Sequence, residues 1–140
     1  MELKYYTANA VRKDQIMSAI AEILVQTEGI DFSYIFGSFI DDDIPFHDID
    51  LGVYFIGNNR LQMFEGANNL ATILSRKTGY PVDVRVLNNA PVSFVYNVLK
   101  GKLIYEKNED IRCQVMENTV RSYLDMKPIL YLATKEAFSS

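Results

Sequence analysis

Asp48 and Asp50 interrupt an otherwise apolar alternation of Ile49, Leu51, Val53 and Phe55. Carboxylates weaken a strand and are costly to bury without a partner, so two of them inside a strand pattern need a chemical reason. Side chains alternate across a strand, which puts both acids on one face with their α-carbons ~6.5–7 Å apart. At that spacing they do not hydrogen-bond to each other, but they can converge on a hard cation between them. Asp83 stands in a second alternating run, with Val82, Val84 and Val86 on the opposite face. If the two runs pair side by side, three carboxylates share one patch of sheet. A few oxygen ligands with open positions for phosphates describe a Mg²⁺ site. Two ions ~3.5–4 Å apart in such a site would clamp the oxygens of an in-line phosphoryl or nucleotidyl transfer.

Gly37-Ser38 complements the acids. A glycine at a strand end lets backbone approach a phosphate closely, and a serine hydroxyl with the N–H groups of the next turn can hold phosphate oxygens. Nine residues separate Ser38 from Asp48. That is enough to turn and return as the neighbouring strand, which would set the Gly-Ser turn and the Asp pair at the same end of adjacent strands. His47, the only histidine, reads as a loop residue, with a general base or a phosphate contact as the alternative. Asp41-Asp42-Asp43 reads as a solvated turn.

The elements that must position these residues follow from periodicity and breakers. Val11 to Glu28 reads as a helix with Ile16, Ile20, Ile23 and Leu24 on its apolar face and Gly29 as its C′ residue. Strands are expected over Phe32 to Phe36, Asp48 to Ile56, Val82 to Leu87 and, at a sheet edge, Leu103 to Tyr105. Arg60 to Thr78 reads as a helix capped by Asn59 and stopped at Gly79, with a buried stripe of Leu61, Phe64, Ala67, Leu70, Ala71 and Leu74. Pro91 suits the first turn of a short helix, Val92 to Lys100, which Gly101 ends. A last helix opens at Asn108-Glu-Asp and runs toward Ala137, with Pro128 expected to kink or break it. The order predicts an α+β domain: a small mixed sheet of three or four strands with flanking helices.

The chain has 140 residues, enough for one ordinary domain, and all of it, 1–140, reads as a single domain. Hydrophobic residues make up 49%, which supports a packed core and excludes a disordered chain. A formal net charge of −4 argues against direct nucleic-acid binding on general electrostatics but suits a metal-bridged nucleotide or a protein partner. The single cysteine, Cys113, allows no intramolecular disulfide and has no second ligand near it in sequence. No apolar run has membrane-span length and the first residues lack a signal-peptide core, so a soluble cytoplasmic protein is expected.

Gly37-Ser38, nine residues, Asp48-Ile-Asp50 and a later strand acid, Asp83, together resemble the nucleotidyltransferase superfamily that includes DNA polymerase beta and the aminoglycoside nucleotidyltransferases. The short helix, the Lys102-Leu-Ile-Tyr-Glu106 strand and the long last helix are similar to the minimal nucleotidyltransferases (MNT). Many of those are encoded beside a HEPN-domain protein, as the antitoxin of a toxin–antitoxin pair. The resemblance covers about Ser33 to Ala137. It implies Gly37 and Ser38 as the nucleotide-binding turn and Asp48, Asp50 and Asp83 as catalytic metal ligands, with Asp83 helping to activate the attacking hydroxyl. It further implies ATP as donor, Mg²⁺ as cofactor, and a tyrosine of a HEPN ribonuclease toxin as acceptor of AMP. A small-molecule nucleotidyltransferase of the aminoglycoside type and an antitoxin acting by contact alone are the alternatives.

Overall fold

The computed structural model describes residues 4–42 and 44–138, with side chains as far as residue 128. Helix α1, Ala10–Gln26, begins where the Asn9 side chain accepts from Arg12 N at 2.8 Å. Its buried face is Ile16, Ile20 and Leu24, as the spacing predicts. The helix ends earlier than expected: Thr27 is its cap, extended rather than helical. Gly29 is therefore not its C′ residue. It carries its positive φ of 85° in the turn into β1.

Strand β1, Ile30–Phe36, is followed by a single 3₁₀ turn at Ser38–Ile40 and then by β2, Ile49–Phe55. Helix α2, Arg60–Thr78, has the predicted Asn59 cap, which accepts from Gln62 N at 3.0 Å, and stops at Gly79 with φ 80°. Its buried stripe is Met63, Ala67, Leu70, Leu74 and Thr78. Leu61 and Phe64, expected in that stripe, are 68% and 50% exposed. They miss it because the first turn of α2 meets the sheet through Met63, one step round the helix.

Strand β3 is Val82–Val86, helix α3 Val92–Leu99 with Pro91 as its N-cap, strand β4 Lys102–Glu106 and helix α4 Glu109–Phe138. Asn108 opens α4 by accepting from Ile111 N at 3.1 Å. Pro128 lies inside α4 and does not end it. The remaining ladder of hydrogen bonds carries the helix across the one donor that proline lacks.

The four strands lie in the order β3-β2-β1-β4. β1 is antiparallel to β2 and β4, and β2 is parallel to β3, so the sheet is mixed, as predicted. One face meets α1 and α2 through Ile30, Ile35, Ile49, Leu51, Val53 and Val82. The other meets α3 and α4 through Phe32, Tyr34, Leu87 and Val98. The strand period of two thus serves both layers and decides which acids face which way. Gly52 permits the second layer to approach, since a Cβ there would lie 2.7 Å from Val98 Cγ1. No helix of the described residues is long and apolar enough to cross a membrane.

Candidate active site

Ile49 and Leu51 point into the α1–α2 layer, so Asp50 between them points to the opposite face. The parallel register sets Asp50 beside Asp83 and the antiparallel register sets it beside Phe36. Asp48 lies just ahead of β2 rather than within it. It still converges: one ligand atom from each of Asp48, Asp50 and Asp83 lies within 4.8 Å of the others, and all three residues are half-buried. The three acids singled out in the sequence are thus brought together, on three connected pieces of one sheet end.

The Gly37-Ser38 turn closes this end of the sheet. Gly37 has φ 83° and ψ −164°, a conformation essentially restricted to glycine. A Cβ at Gly37 would collide with Asp50 Oδ2, so the backbone of the turn is pressed directly against the acid cluster. Ser38, half-buried, begins the 3₁₀ turn on that side. The two halves of the sequence motif therefore meet in space.

Burial pushes the Asp50 carboxyl up to about 7, helped by the adjacent Asp48 and Asp83 carboxylates and opposed by His47. Arg85 Nε donates to Asp83 Oδ2 at 2.9 Å, and this hydrogen bond raises the guanidinium further. His47 Nε2 stands 3.6 Å from Asp48 Oδ2, with its ring 45% exposed. One lateral arginine and an exposed histidine leave the cluster with excess negative charge and only oxygen donors. That donor set fits a hard divalent cation, which would relieve the repulsion that adds to burial in raising Asp50.

The family model for "Polymerase beta, Nucleotidyltransferase" matches residues 18–110. The chain belongs to this family. The matched stretch takes in the Gly37-Ser38 turn and Asp48, Asp50 and Asp83. Among solved structures, the chain is similar to one in a complex of a tri-AMPylated Shewanella oneidensis HEPN toxin with an MNT antitoxin: 18% identity, TM-score 0.61, 92% of this chain and 98% of that one covered. It is also similar to a chain of a toxin–antitoxin structure with AMP-PNP, at 19% identity and TM-score 0.67, covering 88% and 98%. A third similar chain belongs to the toxin–antitoxin MntA–HepT, at 17% identity and TM-score 0.59, covering 92% and 98%. At these identities the likeness is one of fold. A comparison with curated protein sequences finds no match.

Sequence reasoning missed what holds the loop between the Gly-Ser turn and Asp48. Lys13, on α1 and only 8% exposed, donates from Nζ to the Asp41 carbonyl at 2.9 Å. Its ammonium lies 5.4 Å from the Phe39 ring centroid and 5.9 Å from that of Phe46. The two rings meet edge to face at 4.9 Å. Tyr6 and Phe46 exchange backbone hydrogen bonds at 2.7 and 3.0 Å, tying the far end of the loop to the N-terminal segment. The sequence signal was present: two phenylalanines at the ends of an acidic loop have no reason to be there unless they are buried. Asp41 and Asp42 are exposed, as a solvated turn requires, while Asp43 falls outside the described residues.

Proposed function

We propose that this chain transfers AMP from ATP, with Mg²⁺, to a tyrosine hydroxyl of a HEPN-domain toxin, and that it acts thereby as a cytoplasmic antitoxin. The observation that carries the reading is the convergence of Asp48, Asp50 and Asp83 within 4.8 Å beside a backbone turn that only glycine can make. Membership of the nucleotidyltransferase family supports the reaction type. The similar complex containing a tri-AMPylated HEPN toxin supports the acceptor, and the similar structure with AMP-PNP supports the donor.

Each residue has a role that its position allows. Asp48, Asp50 and Asp83 would hold Mg²⁺, which when bound supplies charge neutralisation for the triphosphate and the departing pyrophosphate. Gly37 brings main chain against the polyphosphate, and Ser38 donates its hydroxyl to a phosphate oxygen. Asp83 lies on β3, on the far side of Asp50 from that turn. Its oxygen not engaged by Arg85 accepts the proton of the attacking hydroxyl. The acceptor oxygen forms a bond to the α-phosphorus as the bond from that phosphorus to the β-bridging oxygen breaks, and pyrophosphate leaves.

The test is direct. The full chain is mixed with a purified HEPN-domain partner, Mg²⁺ and ATP labelled on either the α- or the γ-phosphate. Label from the α-position alone should appear on a tyrosine of the partner, with pyrophosphate released. Absence of label on the partner, in a mixture where the complex forms, would remove the protein-modification reading.

A further inference from the structure

We infer that the cavity at the free edge of β3 seats the acceptor-bearing segment of the protein substrate, as an aromatic side chain with acidic neighbours. This rests on the AMP-transfer reading and adds the route by which the acceptor enters. In-line displacement puts the attacking oxygen opposite the leaving pyrophosphate. The Gly37-Ser38 turn lies at the end of β1, on one side of Asp50, and Asp83 lies on β3, on the other. With the polyphosphate over the turn, the hydroxyl must arrive from the β3 side. β3 is an edge strand, so no described strand lies beyond it.

A cavity of about 540 Å³ opens along the C-terminal half of this edge, walled by Arg60 and Phe64 from the start of α2, Arg85 and Val86 from β3, the loop after β3 and Phe94 from α3; Asp83 itself is outside the lining. Its volume lies within the range of preformed ligand sites. Arg85 belongs to both places: its Nε sits on Asp83 Oδ2 at 2.9 Å while the residue lines the cavity. Arg85 therefore links the cavity to Asp83, two residues earlier on the same face of β3.

Three features fix the chemistry of the occupant. Phe64 is 50% exposed, and the Arg60 guanidinium carbon lies 5.8 Å from its ring centroid. An uncommitted aromatic–arginine pair at a cavity mouth is the type of group that dominates protein–protein contacts. The lining carries no carboxylate and two guanidinium groups, of which Arg85 is paired with Asp83 while Arg60 has no carboxylate partner among the described residues. It is therefore complementary to an acidic segment. The rim is also built in advance, because the Asn88 side chain accepts from Phe55 N at 2.8 Å and donates to Phe55 O at 2.9 Å.

The test has two arms on the full chain with its HEPN-domain partner. In the first, Phe64→Ala and Arg60→Glu should each raise the KM for the partner about tenfold and leave the KM for ATP within about twofold, with Arg60→Lys restoring most of the loss. A raised KM for ATP with an unchanged KM for the partner would assign the cavity to the adenine instead and overturn the inference. So would no change in either. In the second arm, Phe64 is replaced by the photo-crosslinking residue p-benzoylphenylalanine and the partner's crosslinked peptide is mapped. This arm needs the complex and not the reaction, so it reads the docking even if AMP transfer fails. A crosslink within the segment carrying the acceptor tyrosine supports the inference, whereas a crosslink elsewhere or none at all overturns it.

Discussion

Gly37 and Asp50 are in contact across the β1–β2 pair, with no room for a single methyl group between the Gly37 backbone and the Asp50 carboxylate. Strand pairing therefore sets the distance between the Gly37-Ser38 turn and the acid cluster, and loop flexibility does not. Gly37→Ala should fail twice over. It forces an L-residue into φ 83°, ψ −164°, which costs about 1–3 kcal/mol, and it drives a Cβ into Asp50 Oδ2. Gly57→Ala is the control, since Gly57 has φ 101° with nothing within 4 Å of its would-be Cβ. Both variants should lose thermal stability, but only Gly37→Ala should lose AMP transfer, by a hundredfold or more on the order expected for a disrupted anion site.

Replacing the acids one at a time separates an enzyme from a binder. Asp48→Asn, Asp50→Asn and Asp83→Asn should each lower AMP transfer on the order of a hundred- to a thousandfold. None of the three acids belongs to either core cluster and none lines the cavity at the β3 edge, so complex formation with the partner should persist. Parallel measurements of transfer rate and of complex mass decide the matter. A variant without transfer that still neutralised the partner in cells would support neutralisation by contact.

Asp50 makes the metal-free protein sensitive to pH in a definite direction. Burial and the neighbouring acids raise its carboxyl from 3.8 to about 7. The folded chain then binds that proton more tightly than the unfolded chain, so this group's contribution to stability is fully present below pH 3.8 and is lost as pH rises through about 7. Melting temperatures of wild type and Asp50→Asn across that window should converge at low pH and separate above neutrality, with Asp50→Asn the more stable. Added Mg²⁺ should raise the wild-type melting temperature more at pH 8 than at pH 6, because binding must displace the proton. A constant difference between the two proteins across the window would contradict this.

Most of the scaffold was legible because its signals are local. Asn59 and Gly79 bound α2 where their capping chemistry requires, and alternation put Asp48 and Asp50 on one face and set Asp83 opposite its neighbouring valines. Convergence of the three acids needed one further step, the parallel pairing of β2 with β3, which the sequence leaves as a condition and the structure shows. What the sequence could not show depends on contacts across tertiary space. Leu61 and Phe64 fit a helical stripe as well as Met63 does, and only the position of the sheet edge decides between them. Asp48 reads as part of the strand, yet pairing begins at Ile49. Nothing local marks Lys13, whose ammonium meets the Asp41 carbonyl and the Phe39 and Phe46 rings of a loop that is distant in sequence.

That loop gives the last prediction. Lys13 joins α1 to the segment between the Gly-Ser turn and Asp48, through the Asp41 carbonyl and the Phe39 and Phe46 rings. Lys13→Met keeps the aliphatic stem and removes the ammonium. Burying that ammonium carries a desolvation cost, so its removal should change global stability by only about 1 kcal/mol. The local effect should be larger, because the Asp41 carbonyl loses its donor and a desolvated cation–π contact of ~2 kcal/mol is lost. Hydrogen exchange should speed up at the amides of Ser38 to Asp42 while those of β2 remain protected. AMP transfer should fall about tenfold through kcat, with the KM for the partner unchanged, since the loop adjoins Ser38 and Asp48 rather than the cavity at the β3 edge. Uniformly faster exchange throughout the sheet would instead make Lys13 a general stabiliser of the fold, with no specific hold on the site.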